Sequence, residues 1–379
     1  MNFLWYWKTT MTPQDRLTTL LTTDSLGEGS FSRHFLNDVS LAQVTALIAE
    51  LKQKHGRFLH VSPSEKTFWL HFERAKIHAE ISLDTAGKIT GLFFDTPVLT
   101  GALQDMVNMI ASLPGETSVL VLSNGKTVAA HCPDRPLAVA STAKLAVLLA
   151  LKQKIHENEL AWGDVVTLDP AWKSLPSGQL QDWPDGSPLT IATLAHLMIS
   201  ISDNTATDAL ISIVGQAAME AITPENMPFL TTREYFTLQS DKHAALRSNW
   251  ETDDHKSRLD ILDQISKEPL PLPDQISTVV THGIDWRLSA HQICNLLDAT
   301  ADLPSVRINP GPADPKDWRD VAYKGGSDTG VLNLSTRLVG HDGSIHHVIA
   351  TWNDKKALNE TPFLAAYCGI LSRLASASG

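Results

Sequence analysis

Ser141-Thr142-Ala143-Lys144-Leu145-Ala146-Val147-Leu148-Leu149-Ala150-Leu151 is the stretch on which the reading of this chain turns. Its apolar run is continuous and, taken over 141–154, long enough for a buried helix. The pattern predicts Ser141 at the helix start, with Lys144 one turn further along the same face. An amine then stands beside a hydroxyl at a helix N-terminus, where free N–H groups and partial positive charge gather. That field and burial both depress an amine's pKa. A neutral lysine can take a serine proton and so turn the oxygen into a nucleophile. Ser-x-x-Lys alone arises by chance roughly once in a chain of ordinary composition, and Ser123-Asn124-Gly125-Lys126 is a second copy. That copy falls on an Asn-Gly turn between Val119-Leu120-Val121-Leu122 and Thr127-Val128-Ala129. Asn-Gly between apolar runs is the strongest short hairpin signal, and nothing on a hairpin turn would bury Lys126.

Two further motifs follow downstream. Ser202-Asp203-Asn204 comes after the apolar run Leu194-Ala195-His196-Leu197-Met198-Ile199-Ser200-Ile201 and before a helical pattern, Ala209, Leu210 and Ile213, closed by Gly215. It occupies a short link between helices, from which a hydroxyl and an amide can be aimed into a cleft. Lys324-Gly325-Gly326-Ser327 comes after Val321-Ala322-Tyr323 and reads as a strand whose glycines let a substrate lie against the backbone. A lysine on such a strand supplies fixed positive charge for a carboxylate.

Upstream, Ser40-Leu41-Ala42-Gln43 is a capping box, and Leu41, Val44, Ile48 and Leu51 repeat at helical spacing up to Gly56. A helix over 40–55 is expected, then a switch to period two. Phe68, Leu70 and Phe72, then Ile77, Ala79, Ile81 and Leu83, then the run 89–94, form an antiparallel meander. Helix plus meander is a small α+β domain ending near Pro97. A helix at 99–112, strands at 321–324, 329–338 and 345–352, and a last helix over 360–375 are expected beyond it. The division is an extension at 1–34 without periodicity, an α+β domain at 35–98 and a larger domain at 99–379, for which 379 residues suffice.

Hydrophobic content of 43% and charged content of 19% describe an ordinary globular protein. A net charge of -11 repels phosphate backbones and anionic surfaces, which excludes nucleic acid and membrane as partners. Cys132, Cys294 and Cys368 are scattered and odd in number, so no disulfide framework is read. No run approaches the length of a membrane span. In Met1-Asn2-Phe3-Leu4-Trp5-Tyr6-Trp7-Lys8 the charge follows the apolar residues, the reverse of an export signal. The expected location is therefore cytoplasmic, with periplasmic as the alternative. His346 and His347, adjacent on a strand, point to opposite faces and cannot share a metal, although one of them could face the cleft. Neither a metal nor a cofactor is expected.

In order and spacing, Ser141–Lys144, Ser202–Asn204 and Lys324–Gly326 resemble the motif trio of the penicillin-recognising serine hydrolases, specifically the class A β-lactamase-like family. The resemblance covers about residues 99–379. It implies a β-lactamase/transpeptidase-like α/β domain, an antiparallel sheet flanked by helices. It also implies roles: Ser141 acylated, Lys144 the base, Ser202 a proton relay to the leaving group, and Asn204 bound to the substrate amide. Lys324 would hold Ser202 and a substrate carboxylate, Gly326 and Ser327 would line the substrate site, and the backbone N–H groups of Ser141 and Ser327 would form the oxyanion hole.

Two departures stand out. The hydroxyl residue that the family carries between Lys and Gly is Gly325 here, with Ser327 as a candidate substitute. The family's Glu-x-x-x-Asn loop is missing: Glu225 and Glu234 lie in the right region, but Phe229 and Leu238 stand four residues on. Glu234 is the candidate deacylating base. The segments 230–234 and 323–331 also resemble a subgroup that joins a cystatin-like or steroid-isomerase-like (NTF2-like) domain to the hydrolase. It includes a protein of clavulanic acid biosynthesis and implies weak esterase or cephalosporin-directed activity. The expected function is hydrolysis of a β-lactam or ester through an acyl-enzyme, with a small molecule as partner and a homodimer compatible. A D,D-peptidase, and a penicillin-binding or sensing module that is acylated without turnover, are the alternatives.

Overall fold

The computed structural model describes residues 11–23, 26–252, 254–277 and 282–377. The apolar start Met1–Trp7, read above as carrying no export signal, lies outside them. The chain divides into two compact units, one running to Ala102 and taking in Leu364–Arg373, the other Leu103–Phe363 with the last residues from Leu374.

In the first unit, strands Phe58–Ser64, Thr67–Phe72, Ala75–Leu83 and Ile89–Phe94 form an antiparallel sheet in that order, with Val98–Leu99 also paired to Ala75–Leu83. The helix Leu41–His55 starts at Ser40, whose capping box with Gln43 is complete, and stops at Gly56, which takes φ 84. Val44, Ile48 and Leu51 meet Leu70, Phe72 and Ile77 of the sheet in one apolar core. The strand Phe58–Ser64 was not foreseen; it is an edge strand, irregular between Phe58 and His60, and it carries Pro63, a residue that sheets admit at their edges.

The segment 1–34 is not a loose extension throughout. Pro13–Thr22 is a helix with a capping box between Thr12 and Asp15. Its Leu17, Leu20 and Leu21 are buried in the core of the same unit, and Arg16 donates to Gly87 O from both Nε and Nη2. Threonines dilute its hydrophobic periodicity, so burial rather than propensity fixes it.

The second unit is built on a five-stranded antiparallel sheet. Its order is Asp320–Asp328, Val331–Val339, Ile345–Asn353, Glu116–Ser123, Lys126–His131. The first of these is an edge strand and runs unbroken through Lys324 to Asp328, past the bound expected at 324. Asn124 and Gly125 take φ 48 and φ 74 at the hairpin turn, the two positive values that a two-residue I′ turn requires. Lys126 is exposed there, so the second Ser-x-x-Lys carries no chemistry. Helices Lys144–His156, Ile191–Ser200, Asn204–Val214 and Ala290–Thr300 share one large apolar core with Leu120, Ala322 and Ile349 of the sheet. Asn353 closes this unit by a two-way bond: its Oδ1 accepts from Ala138 N and its Nδ2 donates to Ala138 O, both at 2.9 Å. No helix among the described residues is long and apolar enough to cross a membrane.

Leu17 is fully buried, so Leu17→Ala is expected to cost about 2–5 kcal/mol of stability, as large-to-small core changes do. Urea denaturation followed by circular dichroism checks this; an unchanged midpoint would return the segment to an extension.

Candidate active site

Ser141 does not open the α-helix directly. It sits in a 3-10 turn, Ala140–Ala143, that feeds the α-helix Lys144–His156. The preceding Ala140 takes φ 45, a left-handed conformation that a residue with a Cβ adopts only at a cost. Its N–H donates to Asp285 Oδ1 at 3.0 Å. Thr142 Oγ1 donates to Asn333 Oδ1 at 2.8 Å, which ties the turn to the neighbouring strand. Burial, and then the negative charge of Asp328, push the Asp285 carboxyl up to about 8.

Lys144 is only 3% exposed. Its Nζ lies 3.1 Å from Ser141 Oγ, 3.0 Å from Ser202 Oγ, 2.7 Å from Ser202 O and 2.6 Å from Asn204 Oδ1. Burial, and then the charge of Lys324, hold this amine well below the usual lysine range, against the opposing pull of Asp208 and Asp203. Ser202 takes φ 59 at the link between the helices Ile191–Ser200 and Asn204–Val214. Asp203 fixes that link. Its Oδ1 accepts from Ala206 N at 2.8 Å, capping the second helix, and its Oδ2 accepts from Gln179 N at 2.7 Å and Leu180 N at 3.0 Å. Gly178, at φ +108, gives it room: a Cβ there would run into the Asp203 side chain. Asn204 Nδ2 donates to Leu175 O at 2.9 Å. Its amide is therefore held from both ends, by Lys144 and by Leu175.

Lys324, 3% exposed, donates from Nζ to Ser202 Oγ at 3.1 Å and to Gly325 O at 2.6 Å. Burial pulls its pKa down to about 7. Gly326 lies against the Ser141 turn, and a Cβ on it would meet Val139 O and come within 2.8 Å of the Ser141 and Thr142 nitrogens. Ser141, Lys144, Ser202, Asn204, Lys324 and Gly326 line one cleft of about 580 Å³, together with Ser327, Tyr323, Tyr235, Trp286 and Asp328. The three motifs, far apart in sequence, meet at the hydroxyl of Ser202.

Other residues singled out in the sequence lie elsewhere. Glu234 does not line the cleft. It completes a capping box in which its Oε2 accepts from Thr231 N at 2.7 Å and Thr231 Oγ1 at 2.9 Å. Glu225 accepts from Gln292 Nε2 at 2.6 Å, also away from the cleft. His346 packs edge-on against Trp318, and His347 Nε2 lies 2.9 Å from Asp298 Oδ1. Neither histidine faces the cleft. Cys294, Asp298 and His347 do bring ligand-type atoms within 4.8 Å of one another. Arg337 Nε already donates to Asp298 Oδ1 at 2.7 Å, and burial pushes the Cys294 thiol up to about 12, so the group reads as an ion-pair cluster.

Several residues at the site were missed in the sequence. Asp208, whose buried carboxyl is pushed up to about 7 by burial, accepts from the N–H groups of Thr232 and Arg233 and pins the segment carrying Glu234. Tyr235 stacks on Trp286 at 5.2 Å and donates to Asp328 Oδ2 at 2.5 Å. The one available signal for Asp208 was its place four residues after Asn204, on the same helix face.

The family model described as the beta-lactamase enzyme family (Beta-lactamase2) matches residues 99–252. A search among curated proteins finds no match. Among solved structures, a beta-lactamase from Sphaerobacter thermophilus aligns at 20% identity with a TM-score of 0.51, covering 73% of this chain and 96% of its own. A beta-lactamase from Desulfarculus baarsii aligns at 17% identity with a TM-score of 0.49, covering 72% and 98%. A structure of PBP-A aligns at 18% identity with a TM-score of 0.46, covering 73% and 95%. The cleft therefore stands in a β-lactamase/transpeptidase-like fold, with helices around an antiparallel sheet.

Proposed function

We propose that this protein is a serine hydrolase that acts on β-lactam or ester substrates through an acyl-enzyme on Ser141. The observation that carries the reading is the buried amine of Lys144, set between the hydroxyls of Ser141 and Ser202 at 3.1 Å and 3.0 Å. Ser202 O and Asn204 Oδ1 can only accept, so they claim two N–H groups of that amine. In the neutral form this leaves the lone pair for the serine hydroxyls. Ser141 Oγ attacks the substrate carbonyl carbon as its proton passes to Lys144. The oxyanion is received by the N–H groups of Ser141 and Ser327. Ser202 gives its proton to the leaving nitrogen or oxygen as that bond breaks, and Lys144 returns a proton to Ser202. Lys324, when protonated, holds Ser202 and the substrate's carboxylate.

The second half-reaction is slow in this reading. Asp328 is the only carboxylate lining the cleft among the described residues, and it already accepts the Tyr235 hydroxyl. Glu234 is consumed by its capping box. The same observation favours a second reading, an acylated penicillin-binding module without turnover. Mass spectrometry of protein mixed with nitrocefin separates the two: a persistent adduct with slow product release favours the hydrolase, an adduct without any product the module.

Ser141→Ala is expected to abolish labelling by a fluorescent penicillin and hydrolysis of p-nitrophenyl butyrate, and activity surviving in the variant would overturn the nucleophile. With the Lys324 pKa at about 7, its ammonium is present below that pH and lost above it. The second-order acylation constant for a carboxylate-bearing β-lactam should therefore fall by about tenfold per pH unit above 7. Lys324→Arg, charged throughout, should remove that falling limb in a stopped-flow pH profile. Gly326→Ala should slow acylation by about 10²–10³ through the displaced oxyanion hole and also lower the melting temperature, because its Cβ would run into the Val139 backbone oxygen.

A further inference from the structure

The family's strand hydroxyl is absent at Gly325, yet the space beside that glycine is not empty. A Cβ built on Gly325 would run into Tyr323 Oη and lie 3.0 Å from Tyr323 Cζ. Residues 323 and 325 share a face of the strand, two positions apart, so the tyrosine folds along the strand and its hydroxyl takes the place of the missing side chain. Its ring needs a second glycine. Gly311, at φ +59, packs so closely that a Cβ there would lie 2.5 Å from ring carbons.

Tyr323 lines the cleft beside Lys324, Gly325 and Ser327. Its Oη makes no hydrogen bond with any described residue, whereas the cleft's other tyrosine, Tyr235, is bonded to Asp328 and Gln239. Burial pushes the Tyr323 phenol up to about 12, so it remains an O–H donor at neutral pH. Beside it, Lys324 Nζ spends two of its three donors on Ser202 Oγ and Gly325 O. Both residues line this cleft, so one N–H of the ammonium and one phenolic O–H are available there to the two oxygens of a carboxylate.

We propose that Tyr323 is a specificity-determining residue of this cleft: its phenol donates to the carboxylate of an anionic substrate, in the position that Gly325 leaves without a side chain. The assignment rests on the acyl-enzyme reading above for the identity of the cleft, and its test is independent of acylation. Benzylpenicillin and benzylpenicillin methyl ester differ only in whether the carboxylate is free. Their binding is measured calorimetrically on Ser141→Ala protein, which cannot be acylated at that serine, with and without Tyr323→Phe. The phenylalanine keeps the ring on Gly311 and removes only the hydroxyl.

The free acid is expected to bind Ser141→Ala more tightly than the ester. Tyr323→Phe should weaken the acid by about tenfold or more, the scale of a hydrogen bond to a charged group, and leave the ester within about twofold. An acid-to-ester ratio unchanged by Tyr323→Phe, or no preference for the acid at the outset, overturns the proposal. If wild-type protein forms no adduct with either compound while the ratio still depends on Tyr323, the acyl-enzyme reading fails and the carboxylate donor stands.

Discussion

The site depends on the removal of two ammonium groups from water around a single hydroxyl. Lys144 and Lys324 are both almost wholly buried, and both reach Ser202 Oγ. Burying one charge is costly, and burying two of the same sign side by side is more so. The chain meets this by lowering both pKa values rather than by pairing each lysine with a carboxylate. A lysine that cannot easily hold its proton is a base, and one that titrates near neutrality binds an anion conditionally. In the proposed acyl-enzyme route the same desolvation fits the two lysines to both parts.

Holding that arrangement requires backbone that the residues would not choose alone. Ala140 and Ser202 both take left-handed φ without being glycine, one immediately before Ser141 and the other at the hydroxyl that both lysines reach. Each is over-determined by a buried aspartate: Asp285 accepts from Ala140 N, and Asp203 ties the Ser202 link to Gln179 and Leu180 and to its own helix. Strain of this kind persists where surrounding bonds outvote it. The two aspartates act through backbone N–H groups.

Much of this was legible in the sequence, and what was not has physical reasons. The apolar run after Lys144, the Asn-Gly hairpin, the Ser40 capping box and the two distant motifs are local patterns, and each corresponds to the element expected of it. The helix Pro13–Thr22 was hidden because its stripe is only three leucines among threonines, and it is a tertiary contact that holds it. Glu234 looked like a base because composition cannot distinguish a carboxylate aimed at a cleft from one folded back on its own helix start. The part played by Asp285 depends on a contact with a residue 145 positions away, for which the sequence carries no periodic signal. Gly325 read as a loss because the reading went residue by residue; the Tyr323 hydroxyl that fills its space appears only when strand geometry sets the two side by side.

The order of strands in the larger sheet has a consequence for how the molecule comes into being. Glu116–Ser123 pairs with Ile345–Asn353, and Asn353 reaches back to Ala138 across 215 positions. The turn carrying Ser141 is thus made well before the sheet's central strand, Ile345–Asn353, and the asparagine that closes the unit. A ribosome must release the strand Asp320–Asp328 before the Gly326 side of the cleft can exist. Until the helix Ala290–Thr300 is also made, the apolar segment following Lys144 lacks part of the core it shares. Contacts of such long range make folding slow and leave that segment exposed to aggregation or chaperones in the meantime.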